Sequence, residues 1–226
     1  MCQAVAKREE RARAVGNLVP GRATGQPPMI EAPELPVEPR VEVASDAAAL
    51  VIVDMQNDFV DPAGSLCVAG ATATIPAIVR LLDCARACGM LVVYTQDWHT
   101  EDDPEFAVWG RHAVADTWGA GIVPALAPRP NDLVVRKLRY DAFYETPLEH
   151  ELRRRGITTL IVTGTVSNIC VLHTAGSAAL RRFRIVVPVD AVSALIPFDQ
   201  HAAFRQIAFL YRGTLVQSGG ISVRQA

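Results

Sequence analysis

The chain reads as an α/β fold built on a mostly parallel, six-stranded sheet with helices on both faces. Three observations predict it. From Ala47 onward, strand-like apolar runs alternate with helix-like segments, the pattern of repeated βαβ units with right-handed crossovers. Runs such as Thr159-Leu160-Ile161-Val162 are short, β-branched and continuous, as strands covered on both faces are. At 226 residues, half of them hydrophobic, the chain can bury one substantial α/β core and is long for two.

In chain order, residues 1–46 stand apart. A mixed-charge patch (Lys7, Arg8, Glu9, Glu10, Arg11, Arg13) leads into a stretch carrying Pro20, Pro27, Pro28, Pro33, Pro36 and Pro39. Such a segment cannot form a core of its own and is expected to be an extended or disordered arm. The domain proper is expected over 47–226. Its first strand, 48–54, is the apolar run Ala49-Leu50-Val51-Ile52-Val53 and ends on Asp54. A helix is expected near 74–88; Cys84 and Cys88 lie one turn apart on it, as small groups on its core face or as a metal or redox pair. A strand at 90–95 leads into Asp97-Trp98-His99, and a strand at 132–136 ends against Lys137. After a helix near 146–155 comes a strand at 158–163, broken by Gly164. Ser167 or Asn168 is placed to cap the next helix, near 169–182, which carries Cys170 in its first turn. A strand at 184–189, a helix near 199–211 and a strand at 213–217 complete the pattern.

Composition narrows the partners. Lys and Arg number 22 against 24 Asp and Glu, a net charge of −2, with no basic run suited to a nucleic-acid surface. No apolar stretch approaches a membrane span, and the N-terminus lacks the apolar core of a secretory signal. The five cysteines, Cys2, Cys67, Cys84, Cys88 and Cys170, are odd in number and lack paired metal-ligand spacing. The expectation is a cytoplasmic protein acting on a small molecule, without nucleic acid or membrane.

In parallel sheets the site lies at the carboxyl ends of the strands, and three of those ends are chemically unusual here. Cys170 at a strand-to-helix turn is either a buried small hydrophobe or a nucleophile; unpaired amides and the positive helix end would lower its pKa. Asp54 closes an apolar run, where a carboxylate needs a partner or a task. Lys137, alone, would be an ordinary surface lysine. Brought to one edge, a carboxylate, an ammonium and a thiol form the arrangement of a covalent C–N hydrolase. Asp54 would take the thiol proton and pass it to the departing nitrogen, and Lys137 would stabilise both anionic partners. Backbone N–H groups around Val166 and Cys170 are placed to serve as the oxyanion hole. His173, one turn beyond Cys170, projects along its helix and is not the expected base.

The segments Val53-Asp54-Met55-Gln56-Asn57-Asp58-Phe59, Lys137-Leu138-Arg139-Tyr140-Asp141-Ala142-Phe143 and Gly164-Thr165-Val166-Ser167-Asn168-Ile169-Cys170-Val171 resemble the three signature regions of the isochorismatase-like cysteine hydrolases, over about Ala47 to Ser218. The resemblance implies a doubly wound α/β fold, a triad of Asp54, Lys137 and Cys170, and a non-proline cis peptide between Thr165 and Val166. It also implies a homodimer or homotetramer, for which the proline-rich arm offers a physical route.

A second cluster follows the 90–95 strand. Residues two apart in a strand face the same side, so Asp97 and His99 can present an oxygen and a nitrogen to one ion, with His112 completing a facial set. The alternative is a pair of hydrogen-bonding loop histidines. The cluster resembles the metal site of the nicotinamidase branch, which implies one divalent ion, zinc, iron or manganese, and no organic cofactor. Phe59, Trp109, Tyr140 and Tyr144 match positions lining the pocket there, suited to sandwich a flat ring. Two departures stand out: Arg111-His112-Ala113 replaces the usual Pro-His-Cys, and Asn168 stands where nicotinamidases often carry an acid.

The leading expectation is therefore an amidohydrolase acting through an acyl-thioenzyme. Nicotinamide is the first candidate substrate by resemblance; ureidoacrylate, biuret, N-carbamoylsarcosine and a streptothricin-type lactam are the alternatives. From another class, a catalytically silent binding or assembly module would leave the Cys170 sulfur far from Asp54 and Lys137.

Overall fold

A computed structural model of the chain describes residues 31–225. Ten strands run β1 Val37–Glu38, β2 Val41–Ala44, β3 Ala48–Val53, β4 Leu91–Asp97, β5 Leu133–Lys137, β6 Thr159–Thr165, β7 Arg184–Pro188, β8 Val192–Ser193, β9 Thr214–Val216 and β10 Ile221–Arg224. The main sheet has the order β1-β9-β7-β6-β3-β4-β5, with β8 paired to the end of β6 and every pairing parallel. Set aside the two-residue strands β1 and β8, and the six expected strands remain. The eight-stranded total comes from those short additions. A separate parallel ribbon joins β2 to β10.

The chain lays β4 and β5 on one side of β3 and then returns to lay β6, β7 and β9 on the other. The strand order thus reverses between β3 and β6, the point beyond whose carboxyl ends open α/β sheets bind their ligands. Asp54 follows β3 and Cys170 follows β6, so the two flank the reversal point.

The β3 run Ala48-Ala49-Leu50-Val51-Ile52-Val53 is wholly buried because the sheet is covered on both faces. Leu50 and Ile52 join one core cluster, packed with Ile78, Leu82 and Ala85 of helix α2, Ala71–Ala87. Ala49, Val51 and Val53 join the other. There they meet Leu148 and Leu152 of α4 (Leu148–Arg153), Ala175 and Ala178 of α5 (Leu172–Leu180), and Ile207 of α6 (Pro197–Phe209). Two single-turn helices, α1 Asn57–Val60 and α3 Phe106–Trp109, belong to the loops above the strand ends. Among the described residues no helix is long and apolar enough to cross a membrane.

Several local expectations are corrected. The helix expected near 169–182 opens as a five-residue π-turn, Ser167–Val171, before α5 begins. Neither Ser167 nor Asn168 caps it: Val166 holds the N-cap position, and the Ser167 hydroxyl donates to Gln200 Oε1 of α6 at 3.0 Å. Cys84 is exposed rather than on the core face of α2, because it lies beside the stripe of Ile78, Leu81, Leu82 and Ala85 that meets the sheet. Within the arm segment, Val37–Glu38 and Val41–Ala44 are extended and pair with Leu215–Val216 and Ile221–Arg224. Residues 1–30, which hold the charged patch and the first prolines, lie outside the described residues.

Gly164 allows β3 and β6 to close at their ends. It sits opposite Val53 with φ +105°, and a Cβ there would stand 2.1 Å from the Val53 carbonyl oxygen. Only glycine tolerates both conditions. Gly164→Ala is expected to cost about 3 kcal/mol of stability, measured by urea unfolding. A loss below about 0.5 kcal/mol would show that this contact does not set the spacing of the two strands.

Candidate active site

Lys137 is the last residue of β5, two strands away from β3, and its side chain crosses the end of β4 to reach Asp54 and Cys170. The register pairs Asp97 with Lys137. The Lys137 side chain has no solvent exposure, and its Nζ lies 2.8 Å from Asp54 Oδ2 and 3.7 Å from Cys170 Sγ. It also forms a short ion pair with Asp97 Oδ1. One buried ammonium therefore touches two carboxylates and the thiol, and the separation expected of a silent module is not found.

Asp54 is held from below. Its backbone is left-handed at φ 48°, which turns the side chain off the strand line. The Thr95 hydroxyl donates to Asp54 Oδ1 at 2.6 Å, and the Asp54 amide donates to the Thr95 carbonyl at 3.3 Å. Gln56 fixes the neighbouring strand end: its Nε2 donates to the Asp97 carbonyl at 2.8 Å, and its Oε1 accepts from the Asp97 amide at 2.8 Å.

The electrostatics follow from this burial. Burial raises Asp54 above the ordinary aspartate value, opposed by Lys137 and reinforced by Asp97. Burial alone would lower Lys137, but Asp54 and Asp97 outweigh it and hold the ammonium well above its ordinary value. Burial pushes the Cys170 thiol well up, and the Asp54 and Asp97 carboxylates add to this against the pull of Lys137. The expectation of a lowered thiol pKa is therefore corrected. Cys170 lies in a short π-turn and is buried, and this burial, which the two carboxylates reinforce, is what raises it. Burial among these groups therefore favours the protonated thiol.

The peptide bond joining Thr165 to Val166 is cis. Past it, the Ile169 and Val171 amides both donate to the Val166 carbonyl, at 3.0 and 3.2 Å, on either side of Cys170. The Thr165 hydroxyl accepts from Ser193 at 3.1 Å. His173 is exposed, its Nδ1 2.8 Å from the Ile169 carbonyl, away from the triad.

Beside the triad, ligand atoms of Asp97, His99 and His112 all lie within 4.8 Å of one another, and all three residues are buried. His99 Nδ1 is 3.0 Å from Asp103 Oδ2, and His112 Nδ1 is 2.7 Å from the Gly110 carbonyl. Each ring is thereby anchored at Nδ1. His99 Nε2 is buried with no hydrogen-bond partner, 3.9 Å from Asp97 Oδ2. Asp97 faces both ways, with Oδ1 on Lys137 and Oδ2 toward the histidines. A donor set of one carboxylate and two imidazoles, one with an orphaned buried nitrogen, fits a divalent ion.

The aromatic residues divide. Trp109 Nε1 donates to the Tyr140 hydroxyl at 2.7 Å, and the Tyr140 ring lies 5.6 Å from that of His173, so these two stand together near the nucleophile's helix. Phe59 is buried in the core and backs His112, with ring centroids 5.7 Å apart. Tyr144 is exposed. Sequence reading missed three residues here. Phe106 packs against His99 and His112 at 5.5 and 5.6 Å. Glu105 is half-buried, its carboxyl raised by burial and by Asp97. Asp103 is buried, with Oδ2 3.0 Å from His99 Nδ1. Spacing from His99 could have marked all three, but nothing in the sequence distinguished them from ordinary loop residues.

The chain matches the family described as "Isochorismatase domain" over residues 48–219. It is 36% identical over 205 residues to a ureidoacrylate amidohydrolase, RutB, of Methylorubrum extorquens, covering 76% of this chain and 81% of that one. N-carbamoylsarcosine amidase from Thermoplasma acidophilum superposes with a TM-score of 0.70 at 37% identity, covering 76% of this chain and 96% of that structure. A pyrazinamidase of Pyrococcus horikoshii in complex with zinc superposes at 0.68 and 29% identity, covering 80% and 99%. With the family matched across the strands that carry Asp54, Lys137 and Cys170, the chain belongs to the isochorismatase-like cysteine hydrolases.

Proposed function

We propose that this protein is a cysteine amidohydrolase that cleaves a C–N bond of a small ureido or carboxamide compound, with Asp54, Lys137 and Cys170 as its catalytic triad. The observation that carries this reading is the single buried Lys137 ammonium in contact with both Asp54 and the Cys170 sulfur at the strand ends. As the sulfur attacks the substrate carbonyl, its proton passes to Asp54, whose raised pKa suits it to accept and then return a proton. The C–N bond breaks as Asp54 delivers that proton to the leaving nitrogen, leaving an acyl or carbamoyl group on sulfur. Water, deprotonated by the same carboxylate, releases the product and regenerates the thiol. Lys137 stays charged throughout and offsets the negative charge on Asp54 and on sulfur. The amides of Val166 and Cys170 serve the tetrahedral oxyanion.

A ureido or N-carbamoyl substrate is favoured by the names of the relatives at 36 and 37% identity and by the neutral Asn168. Nicotinamide or a similar flat-ring amide is the second reading, favoured by the Asp97, His99 and His112 cluster beside Trp109 and Tyr140, with Phe59 and Tyr144 as flanking positions. That cluster would hold one divalent ion, zinc, iron or manganese, which when bound supplies a Lewis-acidic point for a substrate heteroatom. We further take the chain as a cytoplasmic homodimer or homotetramer, with residues 1–46 as an arm that adds Val37–Glu38 and Val41–Ala44 to the strands of a hydrolase domain spanning 47–226.

An ammonia-release screen over small ureides and amides, with and without chelator, tests substrate class and metal dependence together. Cys170→Ala is expected to abolish turnover, and intact-mass analysis of trapped wild-type enzyme should place the adduct on Cys170. Full activity in that variant sinks the reading.

The pH profile tests the base. Protonating Asp54 removes the acceptor for the thiol proton, so kcat/KM falls as pH drops through its raised pKa. The acid midpoint, which belongs to the coupled triad, should lie above the 3.8 of an ordinary aspartate. Lys137, held well above 10.5, contributes no loss through mildly alkaline pH. An acid midpoint at or below that of a free carboxylate would remove Asp54 from this role.

A further inference from the structure

We infer that Asp103 is a positioning residue: it locks His99 in the tautomer that turns a bare Nε2 toward Asp97 and His112, and so sets the divalent-cation affinity of that cluster. This rests on the metal reading above. Asp103 is buried at 5% exposure on the loop that follows His99, and its contacts come from three directions. Oδ2 lies 3.0 Å from His99 Nδ1, Oδ1 accepts the Glu105 amide at 2.9 Å, and both oxygens lie 3.1 Å from Arg139 Nη1. An ionised carboxylate only accepts hydrogen bonds, so the proton of the neutral imidazole sits on Nδ1 and the lone pair on Nε2. The other tautomer would set a ring lone pair against the Asp103 carboxylate.

Among the described residues none donates a hydrogen bond to that nitrogen. His99 has no solvent exposure, and its Nε2 stands 3.9 Å from Asp97 Oδ2, beyond hydrogen-bond range. Phe106 and His112 pack edge-on against the ring at 5.5 and 4.7 Å, so it cannot turn away without losing both contacts. Arg139, two residues after Lys137, clamps Asp103 from the segment that leaves β5. The orientation of His99 therefore depends on the same strand that delivers the catalytic lysine.

Long-range 1H–15N spectra of the metal-free protein test this directly, with His99 identified by the signal lost in His99→Gln. The expected result is a His99 ring protonated at Nδ1. Zinc affinity, measured by competition with a chromophoric chelator, should fall about 10–100-fold in Asp103→Ala, with circular dichroism confirming the fold. Asp103→Asn, whose amide oxygen still accepts, should fall between. A His99 ring protonated at Nε2 in the wild type overturns the inference, even if Asp103→Ala fails to fold. So does a folded Asp103→Ala that binds zinc as wild type does, while leaving the metal reading intact. A wild type that takes up no zinc overturns the metal reading, and the inference with it.

Discussion

The site depends on the burial of one positive charge. Withdrawing an ammonium from water costs several kcal/mol even after the protein relaxes, and Lys137 keeps its charge only because Asp54 and Asp97 flank it. The dependence is mutual. Two carboxylates this close would repel one another without the lysine between them, and one would take up a proton. The sulfur sits against the same ammonium, so the protonation states of Cys170, Asp54 and Lys137 form one coupled system. The surrounding polar contacts, from Thr95 to Asp54 and from Gln56 to the Asp97 backbone, hold these groups at distances where the charges compensate.

Asp97 joins this system to its neighbour. With Oδ1 on Lys137 and Oδ2 facing His99, it belongs to the charge balance of the triad and to the donor set of the histidine cluster. Any cation held there would draw on a carboxylate that also stabilises the lysine, so its charge would bear on the protonation of Asp54 and Cys170. Asp103 and Arg139 extend the link outward, since Arg139 leaves β5 two residues after Lys137 and pins the acid that orients His99.

Much of this was legible in the sequence. The six strands and their alternation with helices stood out because parallel strands covered on both faces lose all polar alternation. Asp54, Lys137 and Cys170 were conspicuous because each closes or follows such a run with a group that hydrophobic burial would otherwise exclude. The role of Gly164 as the break before the nucleophile's turn was visible too. Its close approach to Val53 was not, since that depends on which strand lies beside β6.

The order of elements, the residue types at the strand ends and the pairing of Asp97 with His99 were determined by the sequence itself, because periodicity and position along a strand are local properties. The tertiary structure decided the rest. It made Asp97 a partner of Lys137 through the register of β4 against β5, kept the Cys170 thiol protonated by burying it among carboxylates, placed Phe59 behind a histidine, and brought Asp103 under His99. Each of these depends on lateral contact between segments distant along the chain, and charge states in a buried site follow from the summed field of all such neighbours.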